Sequence, residues 1–207
     1  MFINKKIILA SSSKSRYKIL KQNNLNFLRK KPNCNEELIK KELNKKNKSP
    51  IQIVKYLAKE KAKSVTPYNT NQLVVGCDTI IIFHNKIINK AISFKIAQKK
   101  LKKLAGKEHD IISAVSIFKN KKQIWNCSQK TKVRIRNLSI NEINHYLKKS
   151  GKQILQSAGC YQIESLGPNI IENIKGDFFN VMGFPLFPFL FFLKKFKTNK
   201  WAQKKPT

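Results

Sequence analysis

Apolar and polar positions alternate along this chain in two recurring periods, and the switches between them mark out the expected elements. Lys6 to Ala10 reads as a short buried strand, followed by the polar loop Ser11-Ser12-Ser13. Ser15 to Asn23 has helical spacing, with Tyr17 and Leu20 among its apolar positions. Asn44 to Pro50 is a polar loop, and Ile51 to Val65 is helical in pattern and ends before Pro67. Leu73 to Phe83 is the most apolar strand-like run, interrupted by Asp78. Asn85 and Lys86 read as a hairpin tip, with Ile87 and Ile88 returning. Phe94, Ala97, Leu101 and Leu104 fall on one face of a helix over Phe94 to Ala105, and Gly106 sits where a C-terminal cap belongs. Asp110 to Phe118, Gln123 to Ser128 and Lys130 to Arg136 read as successive antiparallel strands. Ser139-x-x-Glu142 matches a capping box, so a helix starts at Ser139 and ends before Gly151. Short strands around Gly159 to Ile163 and Asn169 to Ile174 precede a turn at Gly176-Asp177. Helices alternate with hairpins, which predicts a mixed sheet with flanking helices and not a purely parallel one.

Composition narrows this further. With 207 residues, 41% of them hydrophobic, the chain suits one α/β domain or two small lobes sharing a core. The net charge of +32 has two readings. It is either a surface selected for a polyanion or a general lysine bias. Only Arg16, Arg29, Arg134 and Arg136 are arginines, and lysine is spread along the whole chain, which favours bias and argues against a dedicated nucleic-acid reader. Cys34, Cys77, Cys127 and Cys160 form no C-x-x-C pair, so zinc is not expected. Ile7 to Ala10 is too short for a secretory core, and a reducing cytoplasm fits. Met182 to Leu193 is apolar but holds Pro185 and Pro188 and falls short of the roughly 20 residues of a membrane span. It reads as a buried segment, with no membrane partner, before the frayed basic tail Lys194 to Thr207.

Acid is scarce, so a carboxylate inside an apolar strand draws notice. Asp78 must meet a cation, a metal or hydrogen-bond donors, or else turn a strand end. Ser11 to Arg16 is a strand–loop–helix junction, where backbone N–H groups, hydroxyls and an arginine suit a phosphate; a plain capping loop is the alternative. Glu36 and Glu37 can start a helix, or join Asp78 on magnesium. His84, His109 and His145 lack ligand spacing and read as structural. No G-x-S-x-G, Walker A or dinucleotide fingerprint is present.

These pieces together resemble a known family. Leu9-Ala10-Ser11-Ser12-Ser13-Lys14-Ser15-Arg16 resembles the L-A-S-x-S-P-R-R opening of the Maf nucleotide pyrophosphatases, also known as septum formation Maf-like proteins. Asn35-Glu36 stands where that family has D-E, and Leu57-Ala58-Lys59-Glu60-Lys61-Ala62 is similar to its L-A-x-x-K-A helix. Gly76-Cys77-Asp78-Thr79, followed by Asn89-Lys90-Ala91, resembles G-A-D-T followed by G-K-P. Leu104-Ala105-Gly106-Lys107-Glu108-His109 is similar to L-S-G-x-x-H. Ala158 to Glu164 and Gly176 to Leu186 are similar to A-G-x-Y-x-I-Q and G-D-Y-x-N-V-x-G-L-P-L. The likeness runs in order from about residue 7 to residue 190.

The resemblance implies an α/β, two-lobed fold of the Maf/inosine-triphosphatase type, a long twisted mixed sheet flanked by helices around a central cleft. It would occupy residues 1–195, with a basic tail over 196–207. It implies hydrolysis of a nucleoside triphosphate between the α- and β-phosphates with a divalent cation, Mg2+ or Mn2+. Asp78 would be the catalytic proton acceptor, Glu36 and Asp78 would hold the metal, and Ser11, Ser13, Arg16, Lys61 and Lys90 would contact phosphates. Glu164 would line the nucleotide end of the cleft. Family likeness alone suggests a homodimer. Lys14, Ser15, Asn35, Ala91 and Glu164 depart from the family pattern. They motivate an alternative, a catalytically impaired nucleotide-binding regulator linked to cell division. Ser157 to Tyr161 suggests a branch distinct from members restricted to thymidine and uridine triphosphates or to methylated guanosine triphosphate.

Overall fold

The computed structural model of the chain describes residues 7–67 and 72–202. Lys6 and residues 203–207 of the expected tail lie outside the described residues.

Seven strands form one mixed sheet: β1 (Ile7–Ala10), β2 (Phe27–Lys30), β3 (Leu73–Phe83), β4 (Lys86–Ile88), β5 (Glu108–Lys119), β6 (Lys122–Ile135) and β7 (Ile171–Lys175). The order is β2-β1-β3-β5-β6-β7, with β4 on β3. β1 runs parallel to both neighbours, pairing Ala10 with Lys30 and with Gly76. A central parallel strand is covered on both faces, which is why all four residues of β1 are apolar and buried. β4 and β7 pair antiparallel to β3 and β6. The expected α/β class with a mixed, helix-flanked sheet is the observed one.

The main helices are α1 (Lys14–Gln22), α2 (Glu36–Lys45), α3 (Pro50–Val65), α4 (Phe94–Leu104), α5 (Ile140–Ser150), the single turn α6 (Phe178–Val181) and α7 (Leu186–Ala202). Their starts follow from local chemistry. Ser49 and Gln52 form a capping box ahead of α3, whose first residue is Pro50. Ser139 and Glu142 do the same for α5, as the sequence predicts. Gly106 follows α4 with φ +69°, a left-handed turn that a side chain resists.

Several details differ from the sequence reading. The first hairpin turns at His84-Asn85, both at positive φ, with Phe83 paired to Lys86, so the tip lies one residue earlier. Residues 123–128 and 130–136 are not two strands but one, β6, which ends at Ile135. Gln129-Lys130 offers no turn chemistry, and polar side chains on a solvated face do not interrupt a strand. Residues 159–163 are not a strand: Cys160 has φ +57°, and the Gln162 carbonyl accepts from both Ser165 and Gly167 in a tight turn. β2 was not predicted: only Phe27 and Leu28 in it are apolar, and three of its four residues are exposed. Residues 194–202 of the expected tail continue α7.

The chain divides into two compact units, Met1–Asp78 with Ala114–Ser128 and Gly183–Thr207, and Thr79–Ser113 with Gln129–Met182. In the first, Ile8, Ala10, Ala62, Val74 and Phe118 form a buried cluster. In the second, Leu101, Leu104, Val133, Ile143 and Leu147 belong to a larger one. Among the described residues, no helix is long and apolar enough to cross a membrane.

Candidate active site

Within the first unit, the close approach of α3 to β3 creates the site. Gly76 is the contact point. A methyl group there would lie 2.1 Å from the Ala58 carbonyl oxygen and 2.5 Å from the Ala62 nitrogen. Only a hydrogen fits, so the helix backbone rests directly on the strand. Along α3 the buried positions are Ile53, Val54, Leu57, Ala58, Lys61 and Ala62, so Lys61 lies on the apolar face. It points into the protein two strand positions beyond that contact, and its Nζ donates to Asp78 Oδ1 at 2.6 Å. The same ammonium lies 2.9 Å from Glu36 Oε1.

Glu36 reaches this point because its loop is tied down. The Ser64 hydroxyl donates to the Lys61 carbonyl and accepts from Asn33 N–H, which joins the loop before α2 to α3. Asn35 then caps α2, accepting from Leu38 N–H at 3.0 Å, and sets Glu36 in the first turn. Asp78 is 4% exposed and Lys61 5%. A buried pair of this kind adds little net stability, since desolvation offsets the attraction, but losing one partner strands a charge at a cost of about 3–5 kcal/mol. Burial alone would lower the Lys61 pKa. Asp78 and, behind it, Glu36 outweigh that effect and the repulsion from Arg16, so the ammonium is held above its ordinary value. Asp78 Oδ2 is buried with no hydrogen-bond partner among the described residues.

The second half of the cluster follows β1. Ser11 is buried, and its hydroxyl accepts from Ser13 N–H and from the Arg16 guanidinium. Ser13 caps α1 by accepting from Arg16 N–H at 3.3 Å. Arg16 is 8% exposed and donates from Nε to the Gly183 carbonyl at 2.9 Å. That carbonyl also accepts from the Cys77 thiol, which burial pushes up to about 11, so it stays a neutral donor. Because Ala10 pairs with Gly76, the serine turn and Asp78 both lie at or beyond the carboxyl end of the parallel pair, the place where open α/β sheets hold ligands. The structure thus brings Ser11, Ser13, Arg16, Glu36, Lys61 and Asp78 into one unit, two carboxylates and two cations beside a helix N-terminus.

The model of the family described as Maf-like protein matches residues 6–196. The chain belongs to that family. Among Maf-like relatives, it is 38% identical over 191 residues to the 7-methyl-GTP pyrophosphatase of Bartonella henselae, covering 92% of this chain and 96% of the relative. It is 37% identical over 182 residues to the nucleoside triphosphate pyrophosphatase of Pelagibacter ubique, covering 88% and 93%. A second protein of that name, from Ruegeria pomeroyi, is 31% identical over 187 residues, covering 90% and 94%.

Against the Maf pattern, two of the departures, Asn35 and Ala91, have structural roles. Asn35 is a helix cap, a task that Asn and Asp perform about equally. Ala91 is buried in the core of the second unit. Lys14 is an exposed first residue of α1. Lys90 and Glu164 belong to the second unit, Lys90 exposed in the loop after β4 and Glu164 half-buried beyond Tyr161. Sequence reasoning missed Gly183, whose carbonyl anchors Arg16 and Cys77, because a backbone acceptor leaves no residue-type signal. It also missed Asn180, fully buried, whose amide donates to Thr131 Oγ1 at 2.9 Å and to the Ile111 carbonyl at 3.3 Å. An asparagine inside the apolar stretch before Met182 was the available clue.

Proposed function

We propose that this Maf-like chain is a nucleoside triphosphate pyrophosphatase, a hydrolase that releases a nucleoside monophosphate and pyrophosphate. The observation that carries the reading is the buried Asp78–Lys61 pair, with half-buried Glu36 on the same ammonium, at the end of the parallel strands. The activities named for the relatives agree with it. The unpaired cysteines suit the reducing cytoplasm.

The donor set fits a divalent ion. Asp78 Oδ2 is a buried acceptor without a partner among the described residues, Glu36 supplies a second carboxylate, and oxygen donors of this number suit Mg2+ or Mn2+ completed by phosphate and water. Asp78 and Glu36 would hold it. When bound, such an ion offsets phosphate charge and makes water more acidic. The protein groups do the rest. Asp78 orients a water toward the α-phosphorus and takes its proton. The new P–O bond forms as the bond to the β-phosphate oxygen breaks, and the electron pair leaves with pyrophosphate. Arg16, held on Gly183 and Ser11, presents a fixed positive charge, and Lys61 a mobile one, to the charge that builds on the leaving group. Ser11 and Ser13 line the turn that would receive phosphate oxygens. For Lys90 as a phosphate contact and Glu164 at the base, support comes from family likeness, and for Lys90 also from its exposure.

The relatives named for 7-methyl-GTP and for nucleoside triphosphates in general are about equally similar, so the nucleotide panel must include both. Turnover in 18O-labelled water then tests the reaction. Attack at the α-phosphorus puts the label in the monophosphate. Label in the pyrophosphate, or phosphate as the product, would contradict the reading.

A further inference from the structure

We infer that the Lys61 ammonium is a built-in stand-in for the divalent ion, so that metal enters the site only by displacing it. The inference rests on the metal-assisted reading above. Nζ already bridges the two carboxylates that would hold the ion, 2.6 Å from Asp78 Oδ1 and 2.9 Å from Glu36 Oε1. With the Lys61 side chain 6% exposed, there is little water to screen a second cation from the first. The two positive groups therefore compete for the same two carboxylates. Asp78 Oδ2, buried and without a hydrogen-bond partner among the described residues, is an acceptor that Lys61 leaves open to an incoming ion.

The backbone of Lys61 is fixed, because Ser64 holds its carbonyl and Gly76 holds its helix against β3. Its four-carbon stem is not, so the ammonium can leave the carboxylates without any helix movement. A triphosphate gives it somewhere to go. Phosphate oxygens that draw Lys61 away free Asp78 and Glu36 for the metal, so triphosphate and metal binding support each other, and by linkage the coupling is reciprocal. The resting protein meanwhile keeps buried Asp78 paired with a cation without any metal.

The test is direct Mn2+ binding, followed by electron paramagnetic resonance of free Mn2+, on the full chain as wild type, Lys61→Met, Lys61→Gln and Asp78→Asn. Lys61→Met should bind Mn2+ at least tenfold tighter than wild type, and its melting temperature should rise more on Mn2+ saturation. Lys61→Gln keeps a donor but no charge and should fall between, so it carries the test if the methionine variant does not fold without metal. Affinity in either variant equal to or weaker than wild type overturns the stand-in role. Asp78→Asn reports on the reading beneath it. Loss of Mn2+ binding there, with no gain in the Lys61 variants, refutes the stand-in alone. Unchanged binding in Asp78→Asn refutes the metal site and the inference together.

Discussion

Adding a single methyl group at Gly76 should damage both stability and chemistry. In Gly76→Ala the new carbon would sit 2.1 Å from the Ala58 carbonyl oxygen and 2.5 Å from the Ala62 nitrogen, where ordinary contacts begin at 3.4 Å. Both obstacles are backbone, so no rotamer relieves them, and α3 must retreat by roughly 1 Å. Overpacking of this order costs about 1–3 kcal/mol, and a backbone clash belongs at the top of that range. The retreat also carries Lys61 away from Asp78, and a misplacement of about 1 Å can lower turnover roughly 100-fold. Urea unfolding and pyrophosphate release on the same preparation measure the two effects. Removing the Ala62 side chain as well should not rescue the variant, because the nearest atoms are backbone. A Gly76→Ala protein within about 0.5 kcal/mol of wild type, with unchanged kcat/KM, would refute the packing argument.

Other outcomes follow from the same structure. Burial holds the His109 ring at about 4 against the usual 6.5, with Asp110 opposing, so the ring is neutral in the fold and hydrogen-bonded to the Tyr161 hydroxyl. The sign is that of a depressed group. Its contribution, roughly 3 kcal/mol, is complete above the unfolded value and lost as pH falls from about 6.5 to 4. The stability of His109→Gln, measured against pH, should therefore fall less steeply there than that of wild type; equal slopes would contradict this. Asn35→Asp keeps the cap on α2, so unfolding free energy should move by less than about 0.5 kcal/mol and turnover by less than about twofold. A large gain in turnover would instead mark Asn35 as a catalytic defect. Glu164→Gln exchanges an acceptor for a group that also donates, so kcat/KM ratios between bases should shift by about tenfold, the worth of one hydrogen bond. A uniform loss over all bases would remove Glu164 from base selection.

The fold was legible where burial writes a period into the chain. β3 shows this best. Its run from Leu73 to Phe83 is apolar because most of it is buried, and its predicted and observed bounds coincide. The capping box at Ser139 is equally local, since cap chemistry needs only residues three apart. β2 was illegible because its residues are largely exposed, and α2 because it has no buried residue to mark a face. The 159–163 segment misled because Tyr161 and Ile163 are buried while the backbone between turns, and burial alone does not specify a strand. For the site, Asp78 stood out as an acid in an apolar strand. Its partner Lys61, named in the sequence only as a phosphate contact through the family likeness, could have been singled out by the same logic, since it continues the apolar face of α3. What the pattern could not reveal is that the two meet: they are 17 positions apart, joined by a helix–strand contact that depends on a glycine.

The central claim is that Asp78 acts chemically on a triphosphate, beyond being neutralised in a core. Asp78→Asn preserves shape and removes the proton acceptor. With Mg2+ or Mn2+ and the best nucleotide of the panel, it should release pyrophosphate about 10²–10⁴-fold more slowly than wild type while still folding. Turnover by a folded Asp78→Asn protein at the wild-type rate would contradict the account.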